Sequence, residues 1–191
     1  MRVIGVDPGL ARTGVAVVEG EPGALRLVHA ACVETSPGVS DASRLAQILA
    51  DLDALVALHR PDTAAVEQLF FASNRTTAMR VAEARGVALC ALARAGLEVV
   101  EYTPMQVKES VAGHGGAAKP QVARMVRTLL GVDAIPGPDD VADACAVAIT
   151  HVHRARMGRA VGSRVAANGG HNSSRLAAAI AAAQSRAASG R

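Results

Sequence analysis

The chain has 191 residues, 50% of them hydrophobic and 2% aromatic, with a formal net charge of +3. That length supports one full α/β core and is short for two. No apolar stretch reaches about 18 residues without a charge, so no spanning helix is expected, and the apolar run after Arg2 meets an acid at Asp7, unlike a secretory signal.

A cytoplasmic location is therefore expected. All 17 acids lie at or before Asp143, whereas Met157–Arg191 carries five arginines and no acid. Residues 1–156 are thus net acidic, and any nucleic-acid binding there must come from a local basic patch, with the tail adding diffuse attraction. The expected division is a folded domain over 1–156 and a basic Ala/Gly/Ser/Arg-rich tail over 157–191. That tail reads as largely disordered, with a short helix near Arg175–Arg186. Cys32, Cys90 and Cys145 form no CxxC or zinc spacing and read as reduced thiols.

In chain order, strands are expected at Val3–Asp7, Thr13–Glu19 and Leu25–Thr35, punctuated by Pro8-Gly9 and Gly20-Glu21-Pro22-Gly23. They form a meander. A helix over Ser40–Leu58 follows, with Leu45, Ile48, Leu49, Leu52, Leu55 and Val56 on one face. A strand over Asp62–Glu67 leads to a loop holding Phe70-Phe71-Ala72-Ser73-Asn74, a long helix over Thr76–Ala95 and a strand over Glu98–Tyr102. Thr103-Pro104 opens a short helix, and the loop Gly113–Ala118 separates it from a helix over Pro120–Leu130. After Pro136-Gly137-Pro138, Asp139 is the expected N-cap of a final helix to about Arg154. The pattern implies an α/β fold with a mixed sheet: an antiparallel meander, then parallel strands joined by crossover helices.

Two strands end on an acid, at Asp7 and Glu67. Asp140 and Asp143 stand three apart on the last helix and so share a face. An acid at the end of a buried strand is costly to desolvate without a partner, and clustered carboxylates raise one another's pKa. A divalent cation resolves both problems, and an all-oxygen donor set favours magnesium or manganese. Each acid also has an ordinary explanation, as a turn residue or as a first-turn acid facing the helix dipole.

The strings Val3-Ile4-Gly5-Val6-Asp7-Pro8-Gly9 with Thr13-Gly14, Val66-Glu67-Gln68-Leu69-Phe70 and Ala84-Arg85-Gly86-Val87-Ala88 resemble the RuvC family. So do Gln106-Val107-Lys108, Gln121-Val122-Ala123-Arg124-Met125-Val126, Asp140-Val141-Ala142-Asp143-Ala144 and Ala148-Ile149-Thr150-His151. The match runs from residue 2 to about 155. The resemblance implies a ribonuclease H-like, mixed five-stranded sheet flanked by helices, and a homodimer that resolves four-way (Holliday) DNA junctions by paired symmetric nicks. It implies Asp7, Glu67, Asp140 and Asp143 as the catalytic tetrad, holding two Mg²⁺ ions per subunit with Mn²⁺ as a substitute. It further implies association with the RuvA-RuvB branch-migration complex, and places the family's aromatic wedge at Phe70.

Phe70 is placed to stack on an unpaired base at the crossover, and Phe71 to pack in the core or an interface. Lys108 and Lys119, the only lysines, flank the Gly-rich loop; they match family lysines and are expected to contact DNA phosphate. Asn74 and Arg75 open the long helix, where a phosphate meets free N–H groups, and Arg12 and Thr13 follow the Asp7 turn as further backbone contacts. His151 and His153 read as helix C-terminal residues favoured by the dipole. An actin-like phosphotransferase also begins with Asp-x-Gly after a strand, but usually needs two such domains. A noncatalytic DNA-binding relative would not need all four acids.

Overall fold

Apolar runs broken by tight glycine turns make the first three elements, β1 (Arg2–Asp7), β2 (Arg12–Glu21) and β3 (Ala24–Glu34), an antiparallel meander. The computed structural model describes residues 1–68 and 75–162, with side chains described for 1–68 and 78–155. Met1–Arg156 form one compact unit. Helix α1 (Asp41–His59) follows, its first turn capped by the Ser40 side chain, which accepts from the Ser43 N–H. Then come β4 (Thr63–Glu67), α2 (Arg75–Arg94), β5 (Val99–Tyr102), α3 (Pro104–Ala112), α4 (Lys119–Leu130) and α5 (Asp139–Gly162). The Thr103–Gln106 capping box starts α3.

The sheet order is β3-β2-β1-β4-β5, with β1/β4 and β4/β5 parallel. The earliest strand is therefore central, and residues Val3, Ile4 and Val6 have no exposed surface. Side chains alternate between two cores, as strand geometry demands. Ile4, Val6, Val15, Val17, Ala64 and Val66 pack with Ile48 and Leu52 of α1 and Ala84, Ala88 and Leu92 of α2. Val3, Ala16, Val18 and Ala65 pack with α3, α4 and the Ala144–Ile149 stretch of α5.

Small residues let α5 lie flush on the second face. A Cβ added at Gly5 would stand 2.3 Å from the Ala144 carbonyl oxygen, and one at Gly14 would stand 1.9 Å from the Asp140 carbonyl oxygen. Glycine inside a strand often marks such a close backbone approach. Because Asp7 pairs with Gly14 across β1 and β2, this contact sets the first turns of α5 beside the end of β1.

Two expectations about α5 are corrected. The helix starts at Asp139 itself, so Asp139 is its first residue and not the cap before it, and it runs to Gly162 instead of ending near Arg154. The residues just past Arg154 include good helix formers such as Arg and Ala, and the Pro stop that would end a helix is absent there. The short helix expected over Arg175–Arg186 lies outside the described residues.

His151 and His153 are consequently interior to α5. His151 is buried; its Nδ1 lies 3.0 Å from the Tyr102 hydroxyl and its Nε2 lies 3.3 Å from Thr63 Oγ1. Thr63 Oγ1 donates to the Glu98 carbonyl, so it accepts from His151 Nε2–H, and Nδ1 then accepts from Tyr102. One neutral tautomer satisfies all three groups. Burial lowers the His151 pKa from its ordinary 6.5. A base with a depressed folded pKa contributes stability above the unfolded value and loses it as pH falls below about 6.5. We expect His151→Ala to cost about 1–3 kcal/mol at pH 8, from the orphaned hydroxyls, and the gap from wild type to narrow at acid pH. Urea denaturation of both proteins across pH measures it; a gap that widens on acidification contradicts the assignment.

Candidate active site

Asp7 and Glu67 follow Val6 and Val66, which are register partners on parallel neighbours β1 and β4. The two carboxyls end side by side and share a hydrogen bond. Burial first, then the charges of Asp143 and Asp140, push the Asp7 carboxyl up to about 7. Burial, then the charge of Asp7, push Glu67 up to about 8. Neither carboxylate is comfortable ionised without a cation, because both are desolvated beside like charges.

Asp140 and Asp143 arrive from the first turns of α5. Asp140 Oδ2 lies 3.0 Å from Arg12 Nε at the start of β2, and Asp143 Oδ2 lies 2.9 Å from the Lys119 ammonium at the start of α4. Lys119 is also 3.7 Å from Asp139, and its bond to Asp143 holds its pKa above the usual lysine value. A cavity of about 190 Å³ opens at this point, lined by Glu67, Asp143, Lys108, Lys119, Pro104, Val107, Val122 and Ala146. Two acids and two ammonium groups thus border one space with an apolar wall.

The four acids gather at one end of the sheet, as their spacing implied. Among the described residues, no three acidic, His or Cys side chains already close into a cation cage. Asp7 and Glu67 bond each other, while Asp140 and Asp143 turn to Arg12 and Lys119. The donor set nevertheless fits a hard divalent cation. It is all carboxylate, two members are held above their ordinary pKa, and Asp140 Oδ2 is buried yet accepts no aligned hydrogen bond despite its nearness to Arg12. Burial pushes the Cys145 thiol, on α5 beyond Asp143, up to about 12.

The remaining candidates divide. Lys108 and Lys119 both border the cavity. Thr13 is fully buried and its hydroxyl donates to the Gly9 carbonyl at 2.8 Å. It fastens the Asp7-Pro8-Gly9 turn, so the expectation that its side chain touches DNA is corrected: no surface is left for a phosphate. Arg12 is half-exposed and engages Asp140, a partnership not expected from sequence. Phe70, Phe71 and Asn74 lie outside the described residues, as does the Arg75 side chain, although Arg75 is the first residue of α2. Gly5 and Gly14 were missed as well; their position inside strand runs was the available signal.

A meander continued by two parallel strands, with acids ending the central strand and its parallel neighbour and two more on the last helix, defines a nuclease of the ribonuclease H-like class. The family model "Crossover junction endodeoxyribonuclease RuvC" matches residues 3–151. The RuvC of Pelotomaculum thermopropionicum is 50% identical over 153 residues, covering 80% of this chain and 93% of that protein. The RuvC of Chloroflexus aggregans is 51% identical over 155 residues, covering 81% and 94%. The structure of Thermus thermophilus RuvC in complex with a Holliday junction substrate is 43% identical with a TM-score of 0.79, covering 83% of this chain and 96% of that one. A yeast mitochondrial Holliday junction resolvase, 12% identical with a TM-score of 0.60, shares the fold. The chain belongs to the RuvC family of crossover junction endodeoxyribonucleases.

Proposed function

We propose that this chain resolves Holliday junctions in recombination and repair by paired, symmetric, metal-dependent nicks that leave 5′-phosphate and 3′-hydroxyl ends. The observation that carries the reading is the meeting of Asp7, Glu67, Asp140 and Asp143 beside Lys108 and Lys119 in a RuvC-family sheet. The four acids would hold two Mg²⁺ ions, or Mn²⁺ in their place, which supply an activated water and stabilise the leaving 3′ oxygen. Lys119 and Lys108 attract the scissile phosphate to the cavity. Val107, Pro104 and Val122 exclude bulk water along one wall, which strengthens the electrostatic contacts within it. Asp7 and Glu67 share a proton while the site is empty of cation and release it when cation binds.

Junction selectivity follows from the family assignment and from Phe70, which we place as the aromatic wedge at the crossover. Asn74, Arg75 and Arg12 add phosphate contacts. Two symmetric nicks require two sites, so the working unit is a homodimer. We take α2 as the candidate interface because its apolar positions Met79, Val81, Val87 and Leu89 exceed a single stripe, although Leu92, counted with them from the sequence, is buried in the core. A RuvA-RuvB complex is the proposed branch-migration partner, and the cytoplasm the proposed location; no described helix is long and apolar enough to cross a membrane.

The test is incubation of the purified protein with a synthetic four-way junction and Mg²⁺, beside linear duplex. Paired nicks confined to the junction and lost in chelator are expected, from a species that sediments as a dimer. Undiminished cleavage in excess EDTA would sink the metal mechanism, and full activity from a monomer would sink the dimer. Phe70→Ala should lower cleavage more than binding, because phosphate contacts supply most of the affinity. A junction with unpaired bases at its crossover should restore its activity. If that junction gives no rescue and the variant instead melts several degrees lower, Phe70 is a core residue.

A further inference from the structure

Asp140 and Asp143 of α5 each carry a protein cation, but the two cations differ. Lys119 borders the cavity and has two carboxylate neighbours. Arg12 does not line the cavity; it comes from the β2 side and, among the described residues, Asp140 is its one ion-pair partner. Its Nε is 3.0 Å from Asp140 Oδ2, yet that oxygen is buried and accepts no aligned hydrogen bond. The attraction is therefore coulombic without a directional bond, and an aligned pair would be the stronger one. The Arg12 side chain is 53% exposed, which screens the attraction further.

Resting on the proposed metal reading, we propose that Arg12 is an exchangeable positioning cation: it holds Asp140 in the metal-free site and gives the carboxylate up to an entering divalent ion. The charge of Asp140 reaches the buried Asp7 carboxyl and raises its pKa, so the carboxylates at this end of the sheet repel one another without a cation. Arg12 supplies the offsetting charge while the site waits. Thr13, the next residue, is pinned to Gly9, and this fixes the Arg12 backbone while its long side chain stays free to move. Glu34 is the cross-strand partner of Arg12 on β3 and is exposed. Directly opposed residues on neighbouring strands interact, so the displaced guanidinium has a second carboxylate within reach. The exchange makes Arg12 a competitor of the metal for one ligand.

The test is a calorimetric titration of Mn²⁺ into the metal-free full-length protein, without DNA. Wild type should bind and Asp140→Asn should bind more weakly. Arg12→Ala should bind about fivefold more tightly than wild type, the scale of a half-exposed ion pair removed from competition. In an Asp140→Asn background, Arg12→Ala should change nothing, because the contested carboxylate is gone. Melting curves confirm that each variant is folded. Equal or weaker Mn²⁺ binding by Arg12→Ala, or tightening that persists in the Asp140→Asn background, would overturn the exchange. Absence of Mn²⁺ binding in wild type and Arg12→Ala alike, or undiminished binding in Asp140→Asn, would overturn the metal reading itself and the exchange with it.

Discussion

Asp7→Asn is expected to abolish cleavage, by about a thousandfold or more, while raising the melting temperature of the metal-free protein at pH 8 and largely sparing junction binding. The two effects share one cause. The Asp7 carboxyl is buried beside Asp143, Asp140 and Glu67, which lifts its pKa from 3.8 to about 7. The unfolded chain ionises as pH passes 3.8, whereas the folded chain holds its proton until about 7. Folding stability therefore falls across that window, and the loss is complete above it. Asparagine keeps the shape and removes the charge, so it recovers stability on the order of 1–3 kcal/mol once the repulsion is shared among four acids. Glu67→Gln should behave alike. Asp140→Asn and Asp143→Asn should lose cleavage without that gain, because each also strands a basic partner, Arg12 or Lys119. Single-turnover cleavage beside melting curves in EDTA at pH 8 and pH 5 separates these outcomes. A near-normal rate for any of the four, or a lower melting temperature for Asp7→Asn at pH 8, defeats the account.

That site was legible because buried strands and helix faces have short periods, and an acid that interrupts them is conspicuous. Val3–Val6 and Thr63–Val66 announced strands, and both ended on carboxylates in register. The meander and the crossover helices followed from local turn chemistry and periodicity, whereas the Ser40 and Thr103 caps are seen only in the structure and the one cap expected, Asp139, is instead the first residue of its helix. Pairings between distant segments were not legible. Nothing near Arg12 names Asp140 as its partner, and nothing near Thr13 shows that its hydroxyl is spent on Gly9. His151 looked like a dipole-favoured terminus because the helix was expected to stop nearby; the longer helix makes it a buried link between α5, β4 and β5. In each case the side chain's neighbours are set by how the sheet stacks on α5, which local periodicity does not encode.

The stacking itself yields the last expected result: Gly14→Ala should fold and yet lose about a hundredfold in cleavage at saturating metal. The added Cβ would stand 1.9 Å from the Asp140 carbonyl oxygen, 2.4 Å from its carbon and 3.0 Å from the Val141 nitrogen. These are backbone atoms in the first turn of α5, so no rotamer change relieves the clash. Gly14 has no positive φ, so alanine meets no dihedral strain, and the effect is steric displacement alone. Reaching ordinary contact requires α5 to retreat by about 1 Å or more, carrying Asp140 and Asp143 away from Asp7 and Glu67. A misplacement of about 1 Å is sufficient for a hundredfold loss when reacting groups must align. Overpacking of this kind costs about 1–3 kcal/mol, which should lower the melting temperature without unfolding the protein. Gly5→Ala, 2.3 Å from the Ala144 carbonyl oxygen, should act in the same direction through the next turn of the helix. Gly38→Ala is the control, since its Cβ meets only Ser36 Oγ at an ordinary 3.6 Å in an exposed loop. If Gly14→Ala cuts a junction as fast as Gly38→Ala, the glycine seat does not set the position of the α5 carboxylates.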